Sequence, residues 1–324
     1  MTFKEIVFSS DTKHRKQWFT GLSFSHPGKM MLPLQLYLID RYTQPGDIIL
    51  DPMAGSGTLL VACSLGRHVI CVELEQKFVD MQKGNWQKIQ QRGPQMGYQM
   101  GTATILQGDA RNLSGLLADK IITSPPYEGS LELSSRHTKG GIPSRDAKLG
   151  QTGTYADVQV DRIITSPPYE GSVSAGAGGE REGAQNARRE RLVAQGYEAK
   201  EFLGGKARVC GVDWQYSDSQ ENIGNLKSIS YLEAMLQVYS ECFKVLKSDG
   251  LLILVLKNFI RNKQIVRLDL DTIRLCESAG FTMIERLARR LTQQSFWRVI
   301  YKQRFPDAPT IDYEDVLVFK KLKV

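Results

Sequence analysis

An alternation of short apolar segments with helical segments constrains the fold of this chain more than any other feature. The predicted strands lie at residues 48–50, 68–74, 102–107, 251–256, 281–290 and 315–319. The predicted helices lie at residues 58–65, 75–91, 231–246 and 270–278. Short strands joined by helices are typical of a largely parallel sheet covered on both faces. Ligands of such sheets bind at the carboxyl ends of the strands, so we expect the functional residues there.

The composition is that of an ordinary globular chain and excludes several other classes. Of 324 residues, 41% are hydrophobic and 24% are charged, which excludes a fibrous or disordered chain. The longest apolar run, residues 251–256, is too short to cross a bilayer, and the first ten residues contain no secretion signal. The five cysteines are scattered without a Cys-x-x-Cys pair, so neither a disulfide framework nor a metal site is indicated. We expect a cytoplasmic protein without a membrane segment.

A glycine-rich turn joins the first of these strands to its helix. Its residues are Asp51, Pro52, Met53, Ala54, Gly55, Ser56, Gly57 and Thr58. Glycines let the backbone approach a ligand closely, and the helix that follows offers free N–H groups. The turn is neither a dinucleotide fingerprint, because Leu60 replaces the third glycine, nor a phosphate loop, because Gly-Lys-Ser/Thr is missing. A tight turn without a ligand is the alternative.

Two acidic residues close the next two strands. Glu73 stands where nucleoside-binding sheets accept hydrogen bonds from ribose hydroxyls, and Asp109 suits a base amino group. Either acid alone would more often be a helix cap or a solvated strand end. Together with the glycine-rich turn, they favour a ligand that contains a nucleoside.

The segment Thr-Ser-Pro-Pro-Tyr, residues 123–127, follows a further predicted strand, which comes after the strand at residues 102–107. The glycine-rich turn followed by this segment resembles the amino-group DNA methyltransferases, which methylate cytosine N4 or adenine N6 with S-adenosylmethionine. Residues 24–33 resemble that family's motif for the methionine side of the cofactor. The resemblance implies an α/β, Rossmann-like methyltransferase fold with a mixed seven-stranded sheet, helices on both faces and a long central insertion.

The resemblance also implies the cofactor-binding residues and the domain limits. Besides the glycine-rich turn, Glu73 and Asp109, the predicted set contains His26, Lys29, Leu74, Ala110 and Thr123. We expect residues 1–127 to form the cofactor-binding half and residues 229–324 the C-terminal half of one domain. Residues 128–228, rich in Gly, Ser, Gln and Arg, are expected to be an insertion that recognises the target.

Methylation of an exocyclic amine explains the residues of the Ser-Pro-Pro-Tyr segment. The Ser124 hydroxyl and the Pro125 carbonyl can accept the two amine hydrogens and favour a tetrahedral nitrogen, while Pro126 helps to fix the backbone. Tyr127 offers a ring on which a base rotated out of the duplex can stack. Methylation of cytosine C5 resembles chemistry that needs a Pro-Cys nucleophile, and the chain contains no Pro-Cys pair. A polyproline turn is the alternative for the segment taken alone.

The catalytic segment occurs twice, because residues 121–130 recur identically as residues 163–172. The alternative catalytic set in the second copy is Ser166, Pro167, Pro168 and Tyr169. The first copy follows Asp109 after one short helical segment, which is the connection that a parallel neighbouring strand requires. Connection length therefore favours the first copy, and the second remains open.

Serine before Pro-Pro-Tyr resembles the cytosine-N4 members of the family, so DNA cytosine N4 is the expected target. Alternatives are adenine N6 in DNA, cytidine N4 in RNA, or a catalytically silent module that binds nucleic acid and cofactor. A restriction endonuclease is a candidate partner, and the oligomeric state is unknown.

The net charge of +7 is concentrated near the two ends of the chain. Residues 257–304 contain eleven basic and four acidic side chains, and residues 1–46 contain six and three. A basic excess attracts nucleic-acid phosphates. The predicted phosphate-binding residues are Lys257, Arg261, Lys263, Arg267, Arg289 and Arg290.

Overall fold

The computed structural model of the chain describes residues 4–8, 11–26, 28–119, 159–168, 221–261, 263–292, 302–307 and 309–323. The strands are β1 Lys4–Ile6, β2 Ile48–Asp51, β3 His68–Glu73, β4 Ala103–Gln107, β5 Val160–Thr165, β6 Leu246–Leu256, β7 Phe259–Arg261, β8 Gln264–Val266, β9 Thr282–Arg290 and β10 Tyr313–Lys320. The α-helices are α1 Thr12–Trp18, α2 Leu32–Tyr42, α3 Gln76–Arg92, α4 Leu113–Asp119, α5 Ser228–Val245 and α6 Leu268–Ser278. The glycine-rich turn leads into a 3-10 helix, Thr58–Leu65.

Among the described residues, the main sheet has eight strands in the order β1-β9-β10-β6-β5-β2-β3-β4. β10 runs antiparallel to both of its neighbours, whereas the other pairings in this sheet are parallel, so the predicted mixed sheet is confirmed. The predicted number of seven strands is wrong, because β1 pairs with β9 at one edge. Only Ile6 of this three-residue strand is buried, so β1 lacks the apolar pattern that predicts a strand.

The order of the strands reverses at β2. From β2 the chain builds β3 and β4 on one side, and β5 and β6 lie on the other side. A crevice forms at the carboxyl ends of the strands where such a reversal occurs. The loop after β2, which is the glycine-rich turn, and the loop after β5 therefore lie side by side.

The strand between β2 and β6 comes from the second copy of the repeat. Ile163 pairs with Leu50 on one side and with Leu252 on the other. The expectation that the first copy supplies this strand is therefore corrected, and part of the range predicted as an insertion is a sheet strand. Residues before the repeat distinguish the copies: Val160 is fully buried, and Arg162 Nε donates to the carbonyl of Tyr42 at 2.8 Å. The first copy has Ala118 and Lys120 at these positions.

Two hydrophobic clusters lie on opposite faces of the sheet, as alternate residues of β6 show. Leu252 and Leu254 belong to one cluster with residues of α4, α5 and α6, whereas Ile253 and Val255 belong to the other with residues of α1, α2 and α3. This double burial explains the unbroken apolar run at residues 251–256. Within the described part of the chain, no helix is long and apolar enough to cross a membrane.

Candidate cofactor and catalytic site

A cavity of about 380 Å³ opens at the carboxyl ends of β2, β3, β4 and β5. The predicted cofactor-binding residues that line it are His26, Lys29, Asp51, Pro52, Met53, Ala54, Gly55, Ser56, Thr58, Glu73, Leu74, Asp109 and Ala110. Gly57 does not line the cavity, and its positive φ of 71° turns the chain into the 3-10 helix. Thr123 lies outside the described residues. Gly28, Met30, Gln35, Gly108, Glu221, Asn222, Ile223 and Glu314 also line the cavity and were not predicted.

Two side chains of α3 hold the glycine-rich turn in place by hydrogen bonds to its backbone carbonyls. Gln82 Nε2 donates to the carbonyl of Gly55, and Asn85 Nδ2 donates to the carbonyl of Ser56, each at 2.8 Å. Both amide side chains are fully buried, so these bonds are shielded from water. Sequence reasoning missed them, although polar amides on the apolar face of a predicted helix are a signal of such a role.

Glu73 is anchored by two backbone N–H groups. Its carboxylate accepts from the N–H of Gly55 at 2.8 Å and from the N–H of Glu75 at 3.0 Å. The residue is 8% exposed, and burial raises the pKa of its carboxyl to about 7. A ligand hydroxyl that donates to this group would replace lost hydration of the carboxylate.

The segment before α2, which contains His26, Lys29 and Met30, also lines the cavity. The buried Arg15 of α1 donates to Asp11 at 3.1 Å and to Thr58 at 3.3 Å, and Asp11 accepts the N–H of Leu32 at 3.0 Å. These bonds tie the segment to the turn. Lys29 Nζ donates to the carbonyl of His26 at 2.8 Å, and burial followed by the charge of Arg15 lowers the pKa of this lysine.

His26 packs directly on the glycine-rich turn. A β-carbon on Gly55 would lie 2.8 Å from the Cε1 and Nε2 atoms of the imidazole. The ring contacts Phe78 edge-on, with the ring centroids 4.4 Å apart. Burial lowers the pKa of His26 to about 3, so the imidazole is neutral at physiological pH.

Residues 221–223 form a wall of the cavity that has no counterpart in the predicted motifs. Arg111 donates to both carboxylate oxygens of Asp109 and, at 3.1 Å, to the carbonyl of Glu221. Asn222 Nδ2 donates to Glu75 at 2.9 Å. Asp109 also accepts the N–H of Arg111 at 2.8 Å, so it caps the following turn while lining the cavity.

The loop after β5 brings Ser166, Pro167 and Pro168 to the same cavity. The buried Tyr231 of α5 donates its hydroxyl hydrogen to the carbonyl of Pro168 at 2.9 Å, which anchors the loop. Asp51 is buried at the end of the neighbouring strand; burial raises the pKa of its carboxyl to about 6, against the opposing effect of Thr165. Of the remaining predicted catalytic residues, Ser124, Pro125, Pro126, Tyr127 and Tyr169 lie outside the described residues.

The predicted phosphate-binding residues are not equivalent in the structure. Lys257 lines the cavity. Arg267 pairs with Asp269 and Arg289 pairs with Glu314, both at 2.7 Å. Arg290 lies 3.6 Å from Glu5. Arg261 and Lys263 lie at the surface of the β7–β8 hairpin.

The residues of the cavity fit S-adenosylmethionine. A buried acid stands at the ribose position after β3, a glycine backbone allows close approach after β2, and Lys29 offers a cation for the carboxylate of the methionine part. The volume is in the range of small-molecule sites. Among the residues that the structure describes, no group of His, Cys, Asp and Glu side chains could hold a metal ion.

The sheet and its cavity have the architecture expected for the class of Rossmann-like methyltransferases, and the residues of the cavity fit S-adenosylmethionine as the cofactor. Within that class, residues 3–84 match the family model described as DNA methylase. This match confirms the predicted resemblance to the amino-group DNA methyltransferases over that part of the chain.

Other similar proteins are methyltransferases of several kinds. The ribosomal protein L11 methyltransferase of Staphylococcus carnosus is 27% identical over 101 residues, which are 31% of this chain and 31% of that protein. The chain therefore spans about a third of the length of this curated relative. A SAM-dependent methyltransferase from Methanosarcina mazei is 13% identical, with 89% of this chain and 98% of that chain covered and a TM-score of 0.43. A TehB-like SAM-dependent methyltransferase from Corynebacterium glutamicum is 12% identical, with 95% and 96% covered and a TM-score of 0.39.

Proposed function

We propose that this chain transfers a methyl group from S-adenosylmethionine to an exocyclic amine of a base in DNA, with cytosine N4 as the target. The observation that carries the proposal is the position of Ser166 and Pro167, which line the same cavity as Gly55 and Glu73. The hydrogen-bond acceptors proposed for the target amine, Ser166 and Pro167, thus line the same cavity as the site proposed for the methyl donor. The DNA methylase match over residues 3–84 supports DNA as the substrate.

In this proposal the second copy of the repeat is the catalytic one. The carboxyl end of β5 lies at the cavity, and its loop carries Ser166, Pro167 and Pro168. The preference for the first copy rested on connection length alone. An identical decapeptide has identical chemistry, so position in the sheet is the better criterion.

The protein's part in the reaction is to position the amine and accept its hydrogens. The Ser166 hydroxyl and the Pro167 carbonyl accept the two N–H groups, which localises the nitrogen lone pair. When bound, S-adenosylmethionine would supply an electrophilic methyl group: the N–CH3 bond forms as the S–CH3 bond breaks, S-adenosylhomocysteine is the leaving group, and the methylated nitrogen loses one proton to water. Most of the rate enhancement comes from alignment and electrostatics. The bond from Tyr231 goes to Pro168, so it holds the loop through a carbonyl other than the proposed acceptor.

The side chain that holds the base is assigned from sequence. Tyr169 follows Pro168 directly and supplies an aromatic face for a base rotated out of the duplex. Serine at position 166 favours cytosine N4, since the resemblance associates serine at this position with that target.

The experiment is expression of the full chain in a host without DNA methylation, followed by mass spectrometry of nucleosides from DNA and RNA. We expect N4-methylcytosine in DNA. Finding N6-methyladenine in place of N4-methylcytosine would change the proposed target from cytosine to adenine. Methyl groups in RNA alone would overturn the assignment to DNA.

Two matched variants test the choice of copy. Ser166→Ala and Ser124→Ala make the same change in the same decapeptide. We expect Ser166→Ala to lower the methylation rate by about 10²-fold or more, because a preorganised partner of the reacting group is lost. Ser124→Ala should retain the wild-type rate. The reverse result would assign catalysis to the first copy.

A further inference from the structure

A small hairpin projects from the edge of the sheet at which the cavity opens. β7 begins two residues after Lys257, which lines the cavity, and pairs antiparallel with β8. Lys263 lies in the connecting turn with a positive φ of 60°. Two-residue hairpin turns favour this left-handed conformation, so the turn fits the antiparallel pairing of β7 with β8.

Cationic side chains of this hairpin and of the segment 302–307 lie over aromatic rings. The guanidinium of Arg261 is 5.2 Å from the centroid of the Phe259 ring. Lys263 Nζ is 4.7 Å and the guanidinium of Arg304 is 5.6 Å from the centroid of Phe305. The three cations are exposed, and Phe259 and Phe305 are half-buried beneath them. A cation held over a ring is positioned without losing its charge.

Other arginines of the basic C-terminal region are engaged differently. Arg286 pairs with Asp269 at 2.6 Å and with Asp315 at 2.8 Å, and both carboxylates are buried. The Arg289 side chain, 12% exposed, pairs with Glu314. Arg286 and Arg289 are therefore held against carboxylates, whereas Arg261, Lys263 and Arg304 are exposed at the surface.

We propose that Arg261, Lys263 and Arg304 form a phosphate-binding surface that holds the backbone of duplex DNA beside the cavity. The inference rests on the proposed function, since it names the part of the chain that binds the DNA whose base is methylated. Phosphate contacts fix the register of a protein on DNA without reading its sequence. Three exposed cations in and next to a hairpin that begins two residues after Lys257, which lines the cavity, suit that role.

The salt dependence of DNA binding tests the surface. The test variant combines Arg261→Gln, Lys263→Gln and Arg304→Gln. Each phosphate contact contributes about 0.9 to the slope of log K against log salt concentration. Binding of a 20-base-pair duplex, followed by fluorescence anisotropy between about 50 and 200 mM salt, should give a slope reduced by about 2.7.

A matched control removes the same charge elsewhere on the surface. It combines Lys83→Gln, Arg274→Gln and Lys323→Gln. These side chains are 57%, 75% and 77% exposed and lie on α3, on α6 and after β10. We expect the control variant to keep the wild-type slope, because a general loss of charge at a distance does not remove a phosphate contact.

The outcomes separate this inference from the proposed function. Equal slopes in the test variant and the control, with wild-type protein that methylates DNA, would overturn the phosphate-binding surface alone. Wild-type protein that neither binds nor methylates DNA would overturn both. The test variant should keep wild-type affinity for S-adenosylmethionine, which shows that its cavity is intact and that a lowered slope reports DNA contacts.

Discussion

The contact between Gly55 and His26 makes Gly55→Ala the most sharply defined perturbation of the site. Gly55 has a φ of +51°, and an added β-carbon would lie 2.8 Å from two atoms of the imidazole. The ring cannot move away freely, because His26 is 2% exposed and packs against Phe78. The variant therefore combines backbone strain with overpacking.

The two costs can be estimated separately. A left-handed conformation costs a non-glycine residue about 1–2 kcal/mol, and overpacking of a buried site costs about 1–3 kcal/mol. Alanine also lowers the conformational entropy of the unfolded chain, which offsets about 0.4–1 kcal/mol of this loss of stability. We expect Gly55→Ala to lower the free energy of unfolding by roughly 2–4 kcal/mol. The affinity for S-adenosylmethionine should fall as well, since the turn lines the cavity.

Gly46→Ala isolates the strain. Gly46 has a φ of +90°, and nothing lies within 4 Å of an added β-carbon. This variant should lose only about 1 kcal/mol. Urea denaturation followed by circular dichroism measures both free energies of unfolding.

A double-mutant cycle with His26→Ala completes the experiment. Removing the imidazole relieves the clash, so Gly55→Ala should cost about 1–3 kcal/mol less in the His26→Ala background than in the wild type. Equal losses for Gly55→Ala and Gly46→Ala, together with zero coupling to His26, would refute the steric reasoning.

Three further predictions concern the cofactor side of the cavity. Burial raises the pKa of Glu73 from 4.5 to about 7, so S-adenosylmethionine, whose ribose would donate to the carboxylate, should bind more tightly as pH rises from 6 to 8. Calorimetric titration should show this trend in the wild type and not in Glu73→Gln. The same raised pKa should make the ligand-free protein less stable to urea as pH rises from about 4.5 to 7, because Glu73 ionises at lower pH in the unfolded chain than in the folded protein. Asn222→Ala removes the 2.9 Å hydrogen bond to the partly buried Glu75 and should raise the Kd for S-adenosylmethionine about tenfold, whereas a change below about threefold would contradict a role for this wall.

Much of the site could be predicted because its chemistry demands particular residue types at strand ends. The glycine-rich turn and Glu73 were identified from their place after predicted strands, and both line the cavity. The supports of that turn could not be predicted in the same way. Gln82 and Asn85 act through carbonyls distant in sequence, and a single amide side chain carries no local sign of its partner.

The basic residues show a similar division. The excess of basic residues near the C-terminus can be counted in the sequence. Whether each of them forms an ion pair or stays at the surface depends on which side chains pack against it in the folded protein. Arg289 faces Glu314 across neighbouring strands, and Lys263 meets Phe305 from a segment more than forty residues away. A count of charges along the sequence does not show which side chains will be paired in the folded protein.

The amino-acid sequence alone determined the class of fold and the chemistry at the strand ends, because hydrophobic periodicity and motif spacing are local properties. It left the repeated decapeptide ambiguous, since identical residues have identical propensities. The choice between copies depended on packing in three dimensions: in the strand between β2 and β6, Val160 is buried where the first copy has the smaller Ala118, and Arg162 donates to the carbonyl of Tyr42. Those contacts arise only once the sheet and α2 are assembled.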